Sequence, residues 1–140
     1  MEGDHKMSEK SDFEAIPIGL DFGTLEIALD EDTVNDRLEL VQWGARELVD
    51  KLRMAPPGMT VSQHARMKFT KFPDLRVAIW AKSEHEFLKP MKIGSKISIR
   101  GKIVDKYVKR GRNYVVSEFE TVDEDGEVLM RSRETSVHVE

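Results

Sequence analysis

The sequence predicts an α+β domain whose C-terminal half forms a strongly twisted antiparallel sheet. An apolar stripe at helical spacing follows residue 30, and a second, shorter helical pattern follows the prolines at 56–57. Beyond residue 73, apolar residues alternate between short turn signals, as they do in hairpin-connected strands. The 140 residues suit one domain, so we expect a flexible polar tail over 1–14 and a single domain over 15–140.

Composition narrows the class of protein. The chain is 39% hydrophobic and 34% charged, with a formal net charge of −4 and no cysteine. Lack of cysteine excludes disulfides and thiolate nucleophiles, and the acidic balance disfavours nucleic-acid binding. No apolar run approaches the ~20 residues of a membrane span, and no export signal opens the chain. We therefore expect no membrane partner and a cytoplasmic location.

The first half of the domain is predicted to hold a strand and two helices. Loose alternation over residues 16–29 indicates the strand. Asp30 or Asp32 can cap one long helix, which Pro56 and Pro57 end. Its apolar stripe consists of Val34, Leu38, Val41, Ala45, Leu48 and Leu52. A second helix is expected from just after Pro57 to about Phe72, with its apolar line on Val61, Ala65 and Phe69.

The second half is predicted to hold four strands joined by short turns. The first covers about 77–88, and a long strand from Ile93 contains Gly101, which indicates a bend or bulge. Residues 109–112 and 123–126 carry hairpin-turn signals, the latter through an Asp-Gly pair. Such a sheet needs an apolar element over one face, and the helix after Pro57 is the natural one.

Several of these segments, taken in order, resemble one protein family. They are Phe87, Pro90 and Gly94 before the long strand, the basic turn at 109–112, the Asp123–Gly126 hairpin, Val41-Gln42-Trp43 in the first helix and Ala55-Pro56-Pro57-Gly58-Met59 before the second. Together they resemble the MaoC-like acyl-thioester hydratases and dehydratases over about residues 15–138. The resemblance implies the hot-dog fold, in which an antiparallel sheet wraps a central helix.

One departure from the family bears on function. Hydratases of this family use a carboxylate and an imidazole placed between the first and central helices, because hydration needs water activation and proton delivery. The stretch 44–58 holds Asp50 but neither His nor Asn. The Ala55-Pro56-Pro57 entry resembles family members that work as the partner of a dyad-bearing subunit.

The resemblance thus implies a dyad-less subunit of an (R)-specific enoyl hydratase or 3-hydroxyacyl dehydratase assembly. It would bind acyl-CoA or acyl-ACP without a cofactor, as a homodimer or as a heterodimer with a dyad-bearing hot-dog subunit. One alternative is a non-catalytic acyl-CoA-binding or assembly module of a larger complex. Another is an active hydratase or dehydratase with a relocated base, for which His64 and His85 are the candidate catalytic residues.

Each candidate site residue has a functional and an ordinary interpretation. His64 would be a base facing a pocket or a hydrogen-bonded structural histidine, and His85 would pair with a glutamate or simply occupy a strand position. Gly58 and Met59 start the central helix, whose N–H groups would hold a thioester carbonyl, although Gly58 also suits a tight turn. Trp80 would line an acyl pocket or pack in the core.

Two further expectations concern charge. The four histidines are scattered without an i,i+4 pair, so we expect no metal site. Residues 89–112 hold nine basic side chains and one acidic residue, Asp105. They would attract coenzyme A phosphates or, as we prefer, pair across strands with the acidic residues between Glu118 and Glu127.

Overall fold

The computed structural model describes residues 13–73 and 78–138, and these form an α+β domain as predicted. The described strands make one antiparallel sheet in the order β1-β3-β4-β5-β2. They are β1 (Asp21–Ala28), β2 (Ala78–Phe87), β3 (Lys96–Lys109), β4 (Arg112–Val122) and β5 (Val128–His138). The described helices are α1 (Glu31–Leu40), α2 (Arg46–Leu52) and α3 (Val61–Lys71). Within these residues no helix is long and apolar enough to cross a membrane.

Helix α3 packs on the inner face of the sheet, which confirms the predicted central helix. Its Met67 shares a core cluster with Ile99, Ile103 and Phe119 from the strands. Phe13, which the sequence analysis assigned to the tail, is buried in the same cluster.

The buried side of α3 differs from the predicted apolar line. Val61, Ala65 and Phe69 are only partly buried, whereas His64, Met67 and Lys68 are buried. Polar residues of α3 can turn inward because the facing strand β5 offers Glu134, itself 1% exposed, as a partner.

The single long first helix predicted from the apolar stripe is wrong. Helix α1 ends at Leu40, and Gln42 follows with a left-handed φ of 53°. The N–H of Gln42 donates to the carbonyl of Glu39, and the N–H of Trp43 donates to that of Leu38. This pair of bonds is a Schellman motif, usually built on glycine, and it reverses the chain before α2.

Because α1 ends at Leu40, only part of the predicted apolar stripe is buried. Val34 and Leu38 are buried, but Val41, Leu48 and Leu52 are exposed. At the other end of α1 the prediction holds, since the Asp30 carboxylate caps the helix by accepting the N–H of Thr33 at 2.8 Å.

Gly101 lies at the bulge we expected, because two residues of β1, Phe22 and Gly23, stand opposite Gly101 alone. On its other side Gly101 stays in register with Phe119 of β4, whose side chain also requires a glycine here. A Cβ on Gly101 would lie 2.2 Å from Cδ2 of Phe119. Glycine therefore lets the Phe119 ring lie against the β3 backbone.

The two predicted hairpins are confirmed. Arg110 and Gly111 both adopt positive φ between β3 and β4. Between β4 and β5, the Asp123 carboxylate accepts the N–H groups of Asp125 and Glu127, both at 2.9 Å.

Candidate functional site

The segment that leads into α3 is held against the loop that joins β2 to β3. Backbone bonds pin it at two points, from Ala55 N–H to the Met91 carbonyl at 2.7 Å and from Ile93 N–H to the Arg53 carbonyl at 3.0 Å. Gly58 then turns the chain with a φ of +83°, and the position of a Cβ on it would lie 3.8 Å from Cζ of Phe87 on β2. The segment that enters α3 therefore lies beside the end of the edge strand.

Inside the sheet, α3 and β5 form a buried charged cluster. Nδ1 of His64 lies 2.6 Å from Oε2 of Glu134, and Nζ of Lys68 lies 3.3 Å from Oε1 of the same carboxylate. Both His64 and Glu134 have fully buried side chains, and that of Lys68 is 10% exposed. The His64 ring also stacks on Phe119, with centroids 4.2 Å apart and planes within 1°.

The cluster fixes the ionisation of Glu134 and the tautomer of His64. Burial alone raises the pKa of Glu134, but the hydrogen bond and charge of His64, followed by Lys68, outweigh it and lower the pKa. An ionised carboxylate only accepts hydrogen bonds, so Nδ1 of His64 carries the proton. Nε2 of His64 is left buried without a protein partner.

His64 lines neither of the two main cavities formed by the described residues. Its ring is covered on one side by Phe119, and its exposed fraction is 0%. In this conformation the imidazole has no path to a ligand.

The smaller cavity, of about 120 Å³, lies between α3 and strands β2, β4 and β5. Its walls are largely apolar, and Trp80 forms one side. Lys68 lies there with its Nζ 5.6 Å from the Trp80 ring centroid. The remaining lining residues are Ala65, Phe69, Ala78, Val115, Ser117, Ser136 and His138.

The larger cavity is an open trough of about 790 Å³ that crosses all five strands. Two cross-strand rows of alternating charge line it: Arg100, Glu120, Arg131 and Glu86, and then Lys102, Glu118, Arg133 and Glu84. The charges pair with one another, for example Arg100 with Glu120 at 2.6 Å and Arg133 with Glu118 at 2.5 Å. Size alone would favour this trough as a ligand site. We give it no such role because most of its charged side chains already pair with one another.

The same rows bear out part of the preferred interpretation of the basic segment, since Arg100 of β3 pairs with Glu120 of β4 and Lys102 lies opposite Glu118 in register. His85 also takes its place in this register. Nδ1 of His85 lies 2.7 Å from the Ser132 hydroxyl, whereas Glu84 and Glu86 are paired in register with Arg133 and Arg131.

The predicted site residues thus lie in four places. Gly58 and Met59 are in the turn before α3, His64 is sealed inside, Trp80 lines the small cavity with Lys68, and His85 lines the outer trough. Sequence reasoning missed Lys68 and Glu134. The signal was present, because Lys68 follows His64 by one helical turn and Glu134 shares strand parity with the buried Met130 and Ser132.

Several solved structures share the fold of this chain along nearly their full length. The Monoamine oxidase regulatory protein from Archaeoglobus fulgius superposes with a TM-score of 0.71 at 18% identity, covering 90% of this chain and 92% of that one. The R-hydratase PhaJ1 from Pseudomonas aeruginosa gives 0.71 at 13%, covering 91% and 85%. The chain has the hot-dog fold.

The hot-dog neighbours also include a two-subunit enzyme. The HadBC 3R-hydroxyacyl-ACP dehydratase complex from Mycobacterium tuberculosis gives a TM-score of 0.69 at 17% identity, covering 86% of this chain and 96% of that one. No family model matches the sequence, and no curated protein matches it. At these identities the likeness concerns the fold, so the chemistry must be argued from the residues.

Proposed function

We propose that this chain binds acyl thioesters as the dyad-less subunit of an enoyl hydratase or 3-hydroxyacyl dehydratase assembly. One observation carries the proposal. The N-terminus of the central helix lies beside Phe87 at the end of the edge strand, but the imidazole nearest to it on the inward face, His64, is sealed beneath Phe119. In this proposal the helix start holds the thioester carbonyl, and among the described residues His64 is not available to act as its base.

The start of α3 suits a thioester carbonyl for electrostatic reasons. An 11-residue helix presents partial positive charge at its N-terminus, where an oxyanion is stabilised. The N–H groups of Val61 and Gln63 already donate to the carbonyls of Gly58 and Thr60, so a thioester carbonyl would rely on the helix dipole and the remaining N–H groups. Gly58 has no side chain to obstruct this end, and Phe87 offers an apolar wall beside it. The acyl chain would extend from there along α3.

The edge strand β2 is the surface proposed to meet a second hot-dog subunit. It pairs with β5 on one side and forms the margin of the described sheet. Ile79, Trp80 and Phe87 are 63%, 45% and 53% exposed along it. An edge strand leaves backbone groups unpaired on one side and is a ready template for pairing with another strand, and the HadBC neighbour is itself a complex. A partner here would sit beside the α3 N-terminus and supply the missing dyad.

The test compares the chain alone with the chain plus a dyad-bearing hot-dog subunit. We expect no hydration of crotonyl-CoA by the chain alone, and hydration above that of the partner alone when both are mixed. Trp80→Ala should weaken this stimulation, whereas Trp43→Ala, similarly exposed on the α1–α2 turn, should not. Binding of butyryl-CoA without turnover in either mixture would instead favour the non-catalytic module.

The His64–Glu134 pair supports a second candidate, an enzyme with a relocated base. A carboxylate that holds Nδ1 and leaves Nε2 free is the arrangement in which an imidazole serves as a general base. This candidate requires opening of the seal over His64. It predicts hydration by the chain alone that is lost in His64→Ala and retained in His85→Ala.

A further inference from the structure

The small cavity beside α3 has a lining unlike that of a hydrocarbon pocket. Trp80, Phe69 and Val115 give it apolar walls, but Lys68 and His138 also line it. Both are buried, at 8% and 5% exposure, and Nδ1 of His138 has no hydrogen-bond partner among the described residues. An unpaired buried polar atom is costly, so its place in the lining points to a polar ligand.

The lining offers hydrogen-bond donors in excess of acceptors. The Lys68 ammonium has three N–H groups, and the Glu134 carboxylate accepts one of them. The hydroxyls of Ser117 and Ser136 and the imidazole of His138 can also donate. Glu134 is shared with His64 and lies outside the lining, so the other two N–H groups of Lys68 remain to bind a ligand in the cavity.

We propose that this cavity is a carboxylate-binding site. A carboxylate is acceptor-only and carries the charge that Lys68 can pair with, and its bonds to these donors are charge-assisted. The volume of about 120 Å³ equals the share of roughly four water molecules, which suits a carboxylate with one or two carbons attached. The cavity lies away from Gly58, which does not line it.

Two kinds of ligand could place a carboxylate in this cavity. One is a free short-chain carboxylic acid. The other is the far end of an acyl chain whose thioester lies at the start of α3, and this source rests on the proposed function. Seven to ten residues of helix separate Gly58 from Ala65 and Lys68, so such a chain would span about 10–15 Å.

Trp80 provides the readout for the first test. In a Trp43→Phe background Trp80 is the sole tryptophan, and its fluorescence is titrated with propionate and, as a neutral match, propionamide. We expect a saturable change with propionate and none with propionamide. Equal responses to the two, or no saturable response to propionate, would overturn the proposal.

Variants then assign the site to Lys68. Lys68→Met should weaken propionate binding about tenfold or more through loss of a charge-assisted bond. Lys71→Met, on the exposed side of the same helix, should leave it unchanged. If Lys68→Met does not fold, His138→Phe keeps a ring in place and should also weaken binding. Unchanged affinity in His138→Phe and in a folded Lys68→Met would contradict the assignment.

The last measurement separates the two sources. Decanoyl-CoA is compared with its ω-carboxylate counterpart for binding to the wild-type chain and to Lys68→Met. Tighter binding of the ω-carboxylate, reversed by Lys68→Met, identifies the acyl end as the ligand. If decanoyl-CoA binds at least as well, an acyl source is ruled out while the proposed function stands. If neither acyl-CoA binds, the proposed function fails. The propionate titration then tests the carboxylate site independently.

Discussion

The inner and outer faces of the sheet use the same kinds of charged residue in opposite ways. On the inner face, Glu134 holds His64 and Lys68 in a cluster almost without solvent. On the outer face, Glu118 and Glu120 pair with arginines whose side chains are 45–57% exposed. A buried pair is strongly attractive and costly to break, whereas solvent screens an exposed one. Burial, rather than the presence of a paired charge, therefore determines how much each carboxylate contributes to the free energy of unfolding.

The inner cluster should be the most sensitive point in the protein. Glu134→Gln keeps the shape of the side chain but leaves the buried Lys68 without its counter-ion. We expect the free energy of unfolding to fall by about 3–5 kcal/mol, as for other buried pairs that lose one partner. Urea denaturation followed by circular dichroism measures it.

The matched control lies on the outer face. Glu120→Gln removes a carboxylate that Arg100 and Arg131 contact at 2.6 and 3.3 Å. Its cost should not exceed about 1 kcal/mol. Equal costs for the two variants would refute the contrast between the faces.

The close approach of Phe119 to β3 gives the next largest effect. Gly101→Ala places a Cβ against the Phe119 ring, which is stacked between His64 and Phe22 and cannot easily move. We expect a loss of about 1–3 kcal/mol in unfolding free energy, typical of an overpacked core. Gly44→Ala, with no atom within 4 Å of the added Cβ, is the control in the same denaturation assay. A wild-type stability for Gly101→Ala would show that the ring is free to shift.

Some elements of the fold could be predicted from the sequence, and others could not. The hairpins and the central helix were predictable because Asp123–Gly126, residues 109–112 and Pro57 act locally. The break after α1 was not, since Gln42 adopts a glycine-like conformation with nothing in its side chain to signal it.

The candidate site was harder to predict for a related reason. Gly58 and Met59 could be placed at the start of α3, but the roles of His64 and Trp80 depend on residues far away in the chain. His64 meets Glu134 across 70 residues, and that meeting requires the wrapped sheet. The periodicity of apolar residues predicted that the side of α3 with Val61, Ala65 and Phe69 would be buried. That side is only partly buried, and the polar side with His64 and Lys68 is the buried one.

Acid should reproduce part of the Glu134→Gln effect without a mutation. The pKa of Glu134 in the folded chain lies below its ordinary value of 4.5, so the unfolded chain binds a proton first as pH falls. The stabilisation is complete above pH 4.5 and is lost as pH drops through the folded pKa. Stability should therefore fall more steeply below pH 4.5 in the wild type than in Glu134→Gln. Parallel curves would mean that Glu134 does not contribute to acid unfolding.

The smallest effect belongs to one exposed pair, Arg133 with Glu118. Their side chains are each 45% exposed, so solvent and salt screen the attraction despite the 2.5 Å contact. A double-mutant cycle with Arg133→Ala and Glu118→Ala should give a coupling of about 0.2–1 kcal/mol in low salt. In 1 M NaCl, where the Debye length is about 3 Å, the coupling should nearly vanish. A coupling that persists in salt would mean that the two charge rows act as one cooperative network. The outer face would then contribute more to the free energy of unfolding than expected for exposed ion pairs.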